Sequence, residues 1–220
     1  SIAVPMLWVL TASVKEKSEF YGSPWTMPKG LFLQNYVEAF TEANMGSYLL
    51  NSLLTTLLAL AILLVVAVPA AYVLARYKFR GQKILNVLFM GGLFINVNYI
   101  VVPIFLMLLD GDKLLSGWFP NGLLIDNLVV LALVYAATTI PFTIYLLSGY
   151  FQTIPEVFEE AASIDGCSHF RTMIRIMIPM ARPSIVTVVL FNFLAYWNDY
   201  IIALTLLPGP NKTLPVGLLN

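Results

Sequence analysis

Within the apolar run Ser184–Leu207, Asn192, Tyr196 and Asp199 are spaced i, i+4, i+7, which predicts one shared helix face. Polar atoms turned toward lipid are costly, so such residues face either a solute pathway or neighbouring helices. An amide and a carboxylate can hydrogen-bond the hydroxyls of a polar solute, and a tyrosine ring can pack on an apolar face of one. The same groups could instead tie helices together, and Asp199 lies toward one end of the run. Asn96, Asn98 and Tyr99 pose the same choice in an earlier run. A second cluster, Glu156, Glu159, Glu160 and Asp165, lies in a polar stretch and has the character of a docking surface. Catalysis finds little to work with. Cys167 and His169 are the only residues of their types, and there is no Ser-His-Asp arrangement, His/Cys cluster or glycine-rich phosphate loop. No enzymatic activity and no bound cofactor or metal are expected of this chain.

The elements that must position these groups are membrane spans. A hydrophobic share of 59%, a charged share of 11% and a mean hydropathy of +0.82 do not suit a soluble domain. They predict an all-α, polytopic membrane helix bundle. A formal net charge of zero offers nothing to nucleic acid.

Ser1–Val14 is apolar but short of the roughly 20 residues a span requires, so it reads as the outer half of a span that begins earlier. Lys15–Ser47 reads as a mixed loop. Leu49–Ala75 is an uncharged span, bent near Pro69. Arg76, Lys78, Arg80 and Lys83 follow without an acid, which places that loop in the cytoplasm by the positive-inside rule. Ile84–Leu109 returns outward, Asp110–Asp126 is an outer loop with Gly and Pro turns, and Asn127–Phe151 goes back inward with Pro141 near its middle. Thr153–Pro183 is then cytoplasmic by counting, and Ser184–Leu207 runs outward. The expectation is a single domain, 1–220, truncated at both ends, with four complete spans, a partial first span and a missing final span.

Thr153–Pro183 is charged and helix-prone. Thr153 and Glu156 have the spacing of a capping box, with Pro155 in the first turn. Glu156, Glu159 and Glu160 lie at the positive end of the helix, where negative charge is favoured. Val157, Ala161 and Ile164 form an apolar stripe and Gly166 is a stop. Ser168 opens a second short helix, which Pro179 and Pro183 bring to an end.

EAASIDG, nine residues, then Ile176, Ile178 and Pro179 resembles the EAA loop of ABC-importer permeases. Glu160, Ala161, Ala162, Gly166, Ile176 and Pro179 match position for position, while Ile178 stands where Leu is commoner. QNYVEAF (Gln34–Phe40), AAYVLARYKFRG (Ala70–Gly81), AYWNDYIIAL (Ala195–Leu204) and TLPVGL (Thr213–Leu218) resemble the carbohydrate-uptake branch of that family, and its shorter maltose-type permease subunit in particular. The resemblance implies a coupling loop, with Glu159, Glu160, Ala161, Ala162, Asp165 and Gly166, that inserts into a cleft of an ATP-hydrolysing subunit. It also implies the partners: a second permease, two ATPase subunits that hold ATP and Mg, an extracytoplasmic substrate-binding protein and membrane lipid. The location would be a bacterial or archaeal plasma membrane and the cargo a sugar, oligosaccharide or glycerol phosphate. An ion-gradient-driven secondary transporter is the main alternative. It would want ionisable groups deep in several spans, and here the complete spans hold only Asp199. An intramembrane enzyme would want a nucleophile–base pair or metal ligands at mid-depth, and no span contains His.

Overall fold

The computed structural model describes residues 3–41, 44–115, 117 and 122–219, and every regular element among them is helical. The chain forms two compact units, Ser1–Leu49 and Leu50–Asn220.

The first unit holds α1 (Ala3–Ser13), α2 (Lys17–Gly22) and α3 (Gln34–Thr41). The stretch read from sequence as a mixed loop thus carries two helices. Lys15 organises it. Its side chain is 2% exposed, and Nζ donates to the carbonyls of Ser23 and Pro24 at 2.9 and 3.4 Å and to Thr26 Oγ1 at 3.4 Å. Asn35 Nδ2 donates to the carbonyls of Ser13 and Lys15 at 3.0 and 2.7 Å, which fixes the start of α3 against the end of α1. A buried ammonium surrounded by carbonyls satisfies both partners and orders the irregular chain between α2 and α3.

The second unit is built on α4 (Met45–Arg76) and α7 (Leu128–Thr153), the two helices long and apolar enough to cross a membrane. The buried residues of α4 (Ser52, Thr56, Ala59, Leu63, Ala67, Ala71 and Leu74 among them) repeat at helical spacing. Large residues such as Leu54, Leu57, Val65 and Val66 are left outside. Small and hydroxyl-bearing residues inside, bulky apolar ones outside, is the packing logic of a helix whose outer face meets lipid or another subunit. Both α4 and α7 run through their prolines, Pro69 and Pro141, as continuous helices. Before Pro141 the Thr138 and Thr139 hydroxyls donate back to carbonyls of Val134, Tyr135 and Ala136, which satisfies both hydroxyls within the helix.

The run expected as one span, Ile84–Leu109, is two helices. α5 (Gln82–Gly92) and α6 (Val97–Leu115) meet at a bend of 103°. Two local signals make the break. Gly91 and Gly92 end α5 in overlapping turns, with Phe94 and Ile95 donating to their carbonyls, and Asn96 Oδ1 accepts from the Asn98 amide at 3.0 Å to start α6. Gly92 also allows a close approach: a Cβ there would lie 2.9 Å from Pro141 Cγ, and α5 packs on α7. α6 then runs six residues beyond Leu109, carrying Asp110, Asp112 and Lys113 within the helix. Asp112 accepts from the amides of Leu123, Leu124 and Ile125 at 2.7–2.9 Å and so orders the approach to α7. Pro120, expected to turn this loop, lies outside the described residues.

The segment expected as a span over Ser184–Leu207 is also interrupted. α11 (Arg182–Trp197) stops at Asn198, and α12 (Ile201–Leu206) follows. α7 is the centre of the unit: α5, α11 and α12 pack against it, and α12 also packs on α6. Asp126 donates its amide to Leu206 O at 2.9 Å and accepts from Gly209 N at 3.1 Å, which holds the chain after α12 beside the start of α7. α13 (Leu214–Leu219) closes onto α4, with the Leu214 amide donating to Ser52 Oγ at 2.7 Å. The described residues offer two spans, or up to four if α5 with α6 and His169–Met180 with α11 are each counted as one crossing, where the sequence suggested four complete spans and a partial first one.

Candidate functional site

The charged loop begins where α7 ends, and it does not use the expected capping box. Thr153 is still the last residue of α7, and its hydroxyl donates to Tyr150 O at 2.7 Å. Glu156 occupies the N-cap of α8 (Val157–Ile164) with no side-chain cap bond. Ile154 is extended, so the turn between the helices draws Thr153 away from the α8 amides. Glu159 and Glu160 do occupy the first turn of α8, as expected.

The far end of α8 is closed by Gly166, whose φ of +74° lies in the left-handed region. Its amide donates to Ser163 O at 3.1 Å and that of Cys167 to Ala162 O at 2.9 Å, the paired bonds of a Schellman cap. Ser168 then caps α9 (His169–Thr172) through the Arg171 amide at 3.4 Å. The prolines do not end this second helix. A π-helical turn, Met173–Met177, leads into α10 (Ile178–Met180), and Pro179 and Pro183 lie in the first turns of α10 and α11. A proline lacks the N–H that would be unpaired at a helix start, which suits Pro183 after the bend, while Pro179 lies within the continuous helical run His169–Met180. The chain bends by 73° at Ala181.

The loop's six expected coupling residues divide into two sets. Glu160, Ala161, Asp165 and Gly166 are exposed, together with Val157, Phe158, Phe170 and an Ile164 that is 87% exposed. Ala162 is buried. Glu159 turns inward: its Oε1 accepts from Tyr72 Oη at 2.6 Å, and its Oε2 lies 3.1 Å from Arg76 Nε. Arg76 also donates through Nη2 to Ile154 O at the end of α7. Tyr77 Oη bonds His169 Nδ1 at 3.0 Å and contacts Tyr72 Oη at 3.3 Å. These groups border a cleft of about 380 Å³ on the inner side of α8.

At the other candidate site Asn192 and Tyr196 lie between α11 and α7. Asn192 is 2% exposed, and its Nδ2 donates to Val188 O at 2.9 Å and to Thr143 Oγ1 at 3.3 Å. Tyr196 stacks on Tyr135 with ring centroids 5.1 Å apart, and its hydroxyl is hydrogen-bonded to Thr139 Oγ1. Asp199 does not share their helix face, because α11 has already ended. It sits in the break before α12, where Oδ2 accepts from Tyr135 Oη at 2.8 Å and from the Ala203 amide at 3.0 Å. Asn192 also borders a cleft of about 390 Å³ with Thr138, Thr139, Phe142, Phe191 and the α5–α6 break. Of the earlier trio, Asn96 caps α6 and Tyr99 is exposed.

Sequence reasoning missed the partner residues. Tyr135, Thr139 and Thr143 are spaced i, i+4, i+8 on α7, a polar stripe that complements Asn192 and Tyr196 and was readable as such. Tyr72 and Arg76, spaced i, i+4 at the end of α4, were a comparable signal.

Comparison with known proteins agrees with this architecture. Residues 58–219 match the family described as binding-protein-dependent transport system inner membrane component. The chain is 36% identical over 211 residues to the diacetylchitobiose uptake system permease protein NgcG of Streptomyces coelicolor, covering 96% of this chain and 66% of that protein. It is 32% identical to the probable ABC transporter permease protein YurM of Bacillus subtilis, covering 100% and 70%. It is 28% identical to the trehalose/maltose transport system permease protein MalG of Thermococcus litoralis, covering 97% and 74%. The chain thus spans about two thirds to three quarters of the length of these relatives. In fold it resembles a chain of a bacterial ABC transporter involved in the import of the acidic polysaccharide alginate, with a TM-score of 0.81 at 23% identity over 98% of this chain and 71% of that one. With its interrupted spans, exposed loop helix and matched family segment, this chain belongs to the inner membrane components of binding-protein-dependent transport systems.

Proposed function

We propose that this chain is a membrane-spanning permease subunit of an ATP-driven importer for a sugar or oligosaccharide. The observation that carries the reading is α8: a short helix with an exposed stripe of Val157, Ala161 and Ile164, acidic groups at its first turn and a Schellman cap at Gly166. An apolar ridge with charge at one end fits insertion into a groove on a partner, the helix-in-groove mode of recognition. The partner is an ATPase subunit, two of which act with a second permease and an extracytoplasmic binding protein. Hydrolysis belongs to those ATPase subunits. Thr153–Pro183 and Arg76–Lys83 face the cytoplasm in this scheme. Two of the named relatives are permease proteins of diacetylchitobiose uptake and trehalose/maltose transport systems, which supports a saccharide cargo. A gradient-driven carrier has no use for an exposed coupling helix.

Glu160→Lys tests the docking reading. A lysine would bring positive charge to the positive end of α8 and reverse the charge offered to the partner. ATP-driven uptake into vesicles carrying the complete complex should fall about tenfold, an electrostatic change on the order of 1–2 kcal/mol, while membrane insertion is unchanged. Undiminished uptake and undiminished stimulated ATP hydrolysis would remove α8 as the docking element.

Asn192, Tyr196 and Asp199 are proposed as pathway-lining groups whose side chains also knit α11 and α12 to α7. Asn192 serves both roles only if its free face in the cleft meets the solute. Asn192→Ala should then lower uptake of a weakly transported sugar more than that of a good one, by about fivefold for one lost hydrogen bond. Equal losses for both sugars that track the amount of assembled complex leave packing as its whole role.

A further inference from the structure

We infer that Glu159, Arg76 and Tyr72 form a latch that converts movement of the coupling helix into movement of the spans, with Glu159 a positioning residue and not part of the docking face. The inference rests on the docking role of α8 given above and goes beyond it. One side of α8 meets the partner; the opposite side must be fixed to something, or the helix would tilt in its loop and the motion would be lost. Coupling between distant sites travels through packed side chains, hydrogen bonds and ion pairs that join rigid elements.

The geometry supplies that fixing at one carboxylate. Glu159 accepts from Tyr72 Oη at 2.6 Å and pairs with Arg76 Nε at 3.1 Å, so α8 is tied to two successive turns of α4. Arg76 also reaches Ile154 O, the C-cap of α7. One guanidinium therefore joins α4, α7 and α8, the two long spans and the coupling helix. Its planar fork can bridge a carboxylate and a carbonyl at once, which a lysine ammonium on a flexible stem does less well. The latch is shielded from water: the Arg76 side chain is 6% exposed, that of Glu159 22%, and Tyr72 is buried. Tyr72 also packs edge-on against Phe151 in the last turn of α7. Screening is weak in such a place, so the charges attract more strongly than in a surface ion pair, although the Nε–H is not aligned with the carboxylate. Glu160, the next residue, is exposed and makes no bond to α4. Both carboxylates border the cleft beside α4, but only Glu159 is bonded to Tyr72 and Arg76, while Glu160 is exposed to a partner.

The readout is the amount of sugar taken up per ATP hydrolysed by the complete complex in vesicles, normalised to assembled complex. Glu159→Gln and Arg76→Lys should each lower that ratio about tenfold, because each removes the ionic or the forked half of the link. Tyr72→Phe, which deletes one hydroxyl, should lower it about threefold. Exchanging the charges, Glu159→Arg with Arg76→Glu, should recover part of the ratio lost in either single change. A ratio equal to that of the unaltered complex overturns the latch, whether or not uptake and hydrolysis have fallen together. Loss of uptake that follows only loss of assembled complex overturns it as well, since the residues would then be needed for folding alone. The docking reading fails separately: Glu160→Lys without effect removes it, whatever the Glu159 ratio does.

Discussion

Asp199→Ala should be among the most destabilising single changes in the second unit, at about 3 kcal/mol, or roughly 6–12 °C in the thermal midpoint of the detergent-solubilised protein. The carboxylate is the only side chain bridging the break between α11 and α12 to α7 among the hydrogen bonds of the described residues there. It accepts from Tyr135 Oη and from the Ala203 amide in the first turn of α12. Alanine would leave a hydroxyl and an amide without their partner in a half-buried site, and unmade bonds cost more than made ones contribute. It would also loosen the Tyr135–Tyr196 stack, since Tyr135 is held from its hydroxyl end. Asp199→Asn keeps an acceptor oxygen and should cost less than half as much. The two variants, measured by thermal aggregation and by uptake, separate support from solute contact. If Asp199→Ala were as stable as Asp199→Asn and yet inactive, the residue would belong to the pathway and not to the frame.

The composition and the uncharged runs made the helical membrane class readable, and the two continuous spans fell close to their expected limits. The interrupted spans were not readable from hydropathy, because lipid and protein interior are equally apolar. A run such as Ile84–Leu109 has the same mean character whether its helix is straight or bent by 103°. What breaks it is local: paired glycines at 91 and 92, a capping asparagine at 96, and the closeness of Gly92 to Pro141. The first two signals are present in sequence. The third depends on which helix α5 packs against, and no local pattern specifies that.

The loop was legible in its chemistry more than in its detail. Gly166 as a stop and Ser168 as a cap followed from residue type, since each acts on its own neighbours. The Thr153–Glu156 box failed because α7 did not end where the apolar run ended; it kept Thr153 inside its last turn. Pro179 and Pro183 were read as stops, and the structure uses them as first-turn residues, a choice that a proline alone leaves open. The separation of Glu159 from Glu160 could not be read at all. Both are acidic, adjacent and in the first turn, and only the packing of α4 beside α8 decides which one is bonded within the chain.

Gly166→Val should reduce ATP-driven uptake about tenfold or more, and the cause can be isolated because the position is sterically open. A left-handed backbone costs an L-residue roughly 1–2 kcal/mol, and β-branching raises that further. A Cβ built on Gly166 meets nothing within 4 Å in this chain, so no clash contributes. The penalty falls on the two cap bonds that close α8, from Gly166 to Ser163 O and from Cys167 to Ala162 O. Relieving it would unwind the last turn and displace Ile164, the most exposed member of the docking stripe. A graded series follows from conformational preference alone: Gly166→Asn should lose least, Gly166→Ala more and Gly166→Val most, because asparagine tolerates the left-handed region better than alanine. Uptake per assembled complex, measured across the three, should follow that order. If asparagine were as damaging as valine, bulk at Gly166 would be the cause. The docked partner, and not the turn, would then account for the glycine.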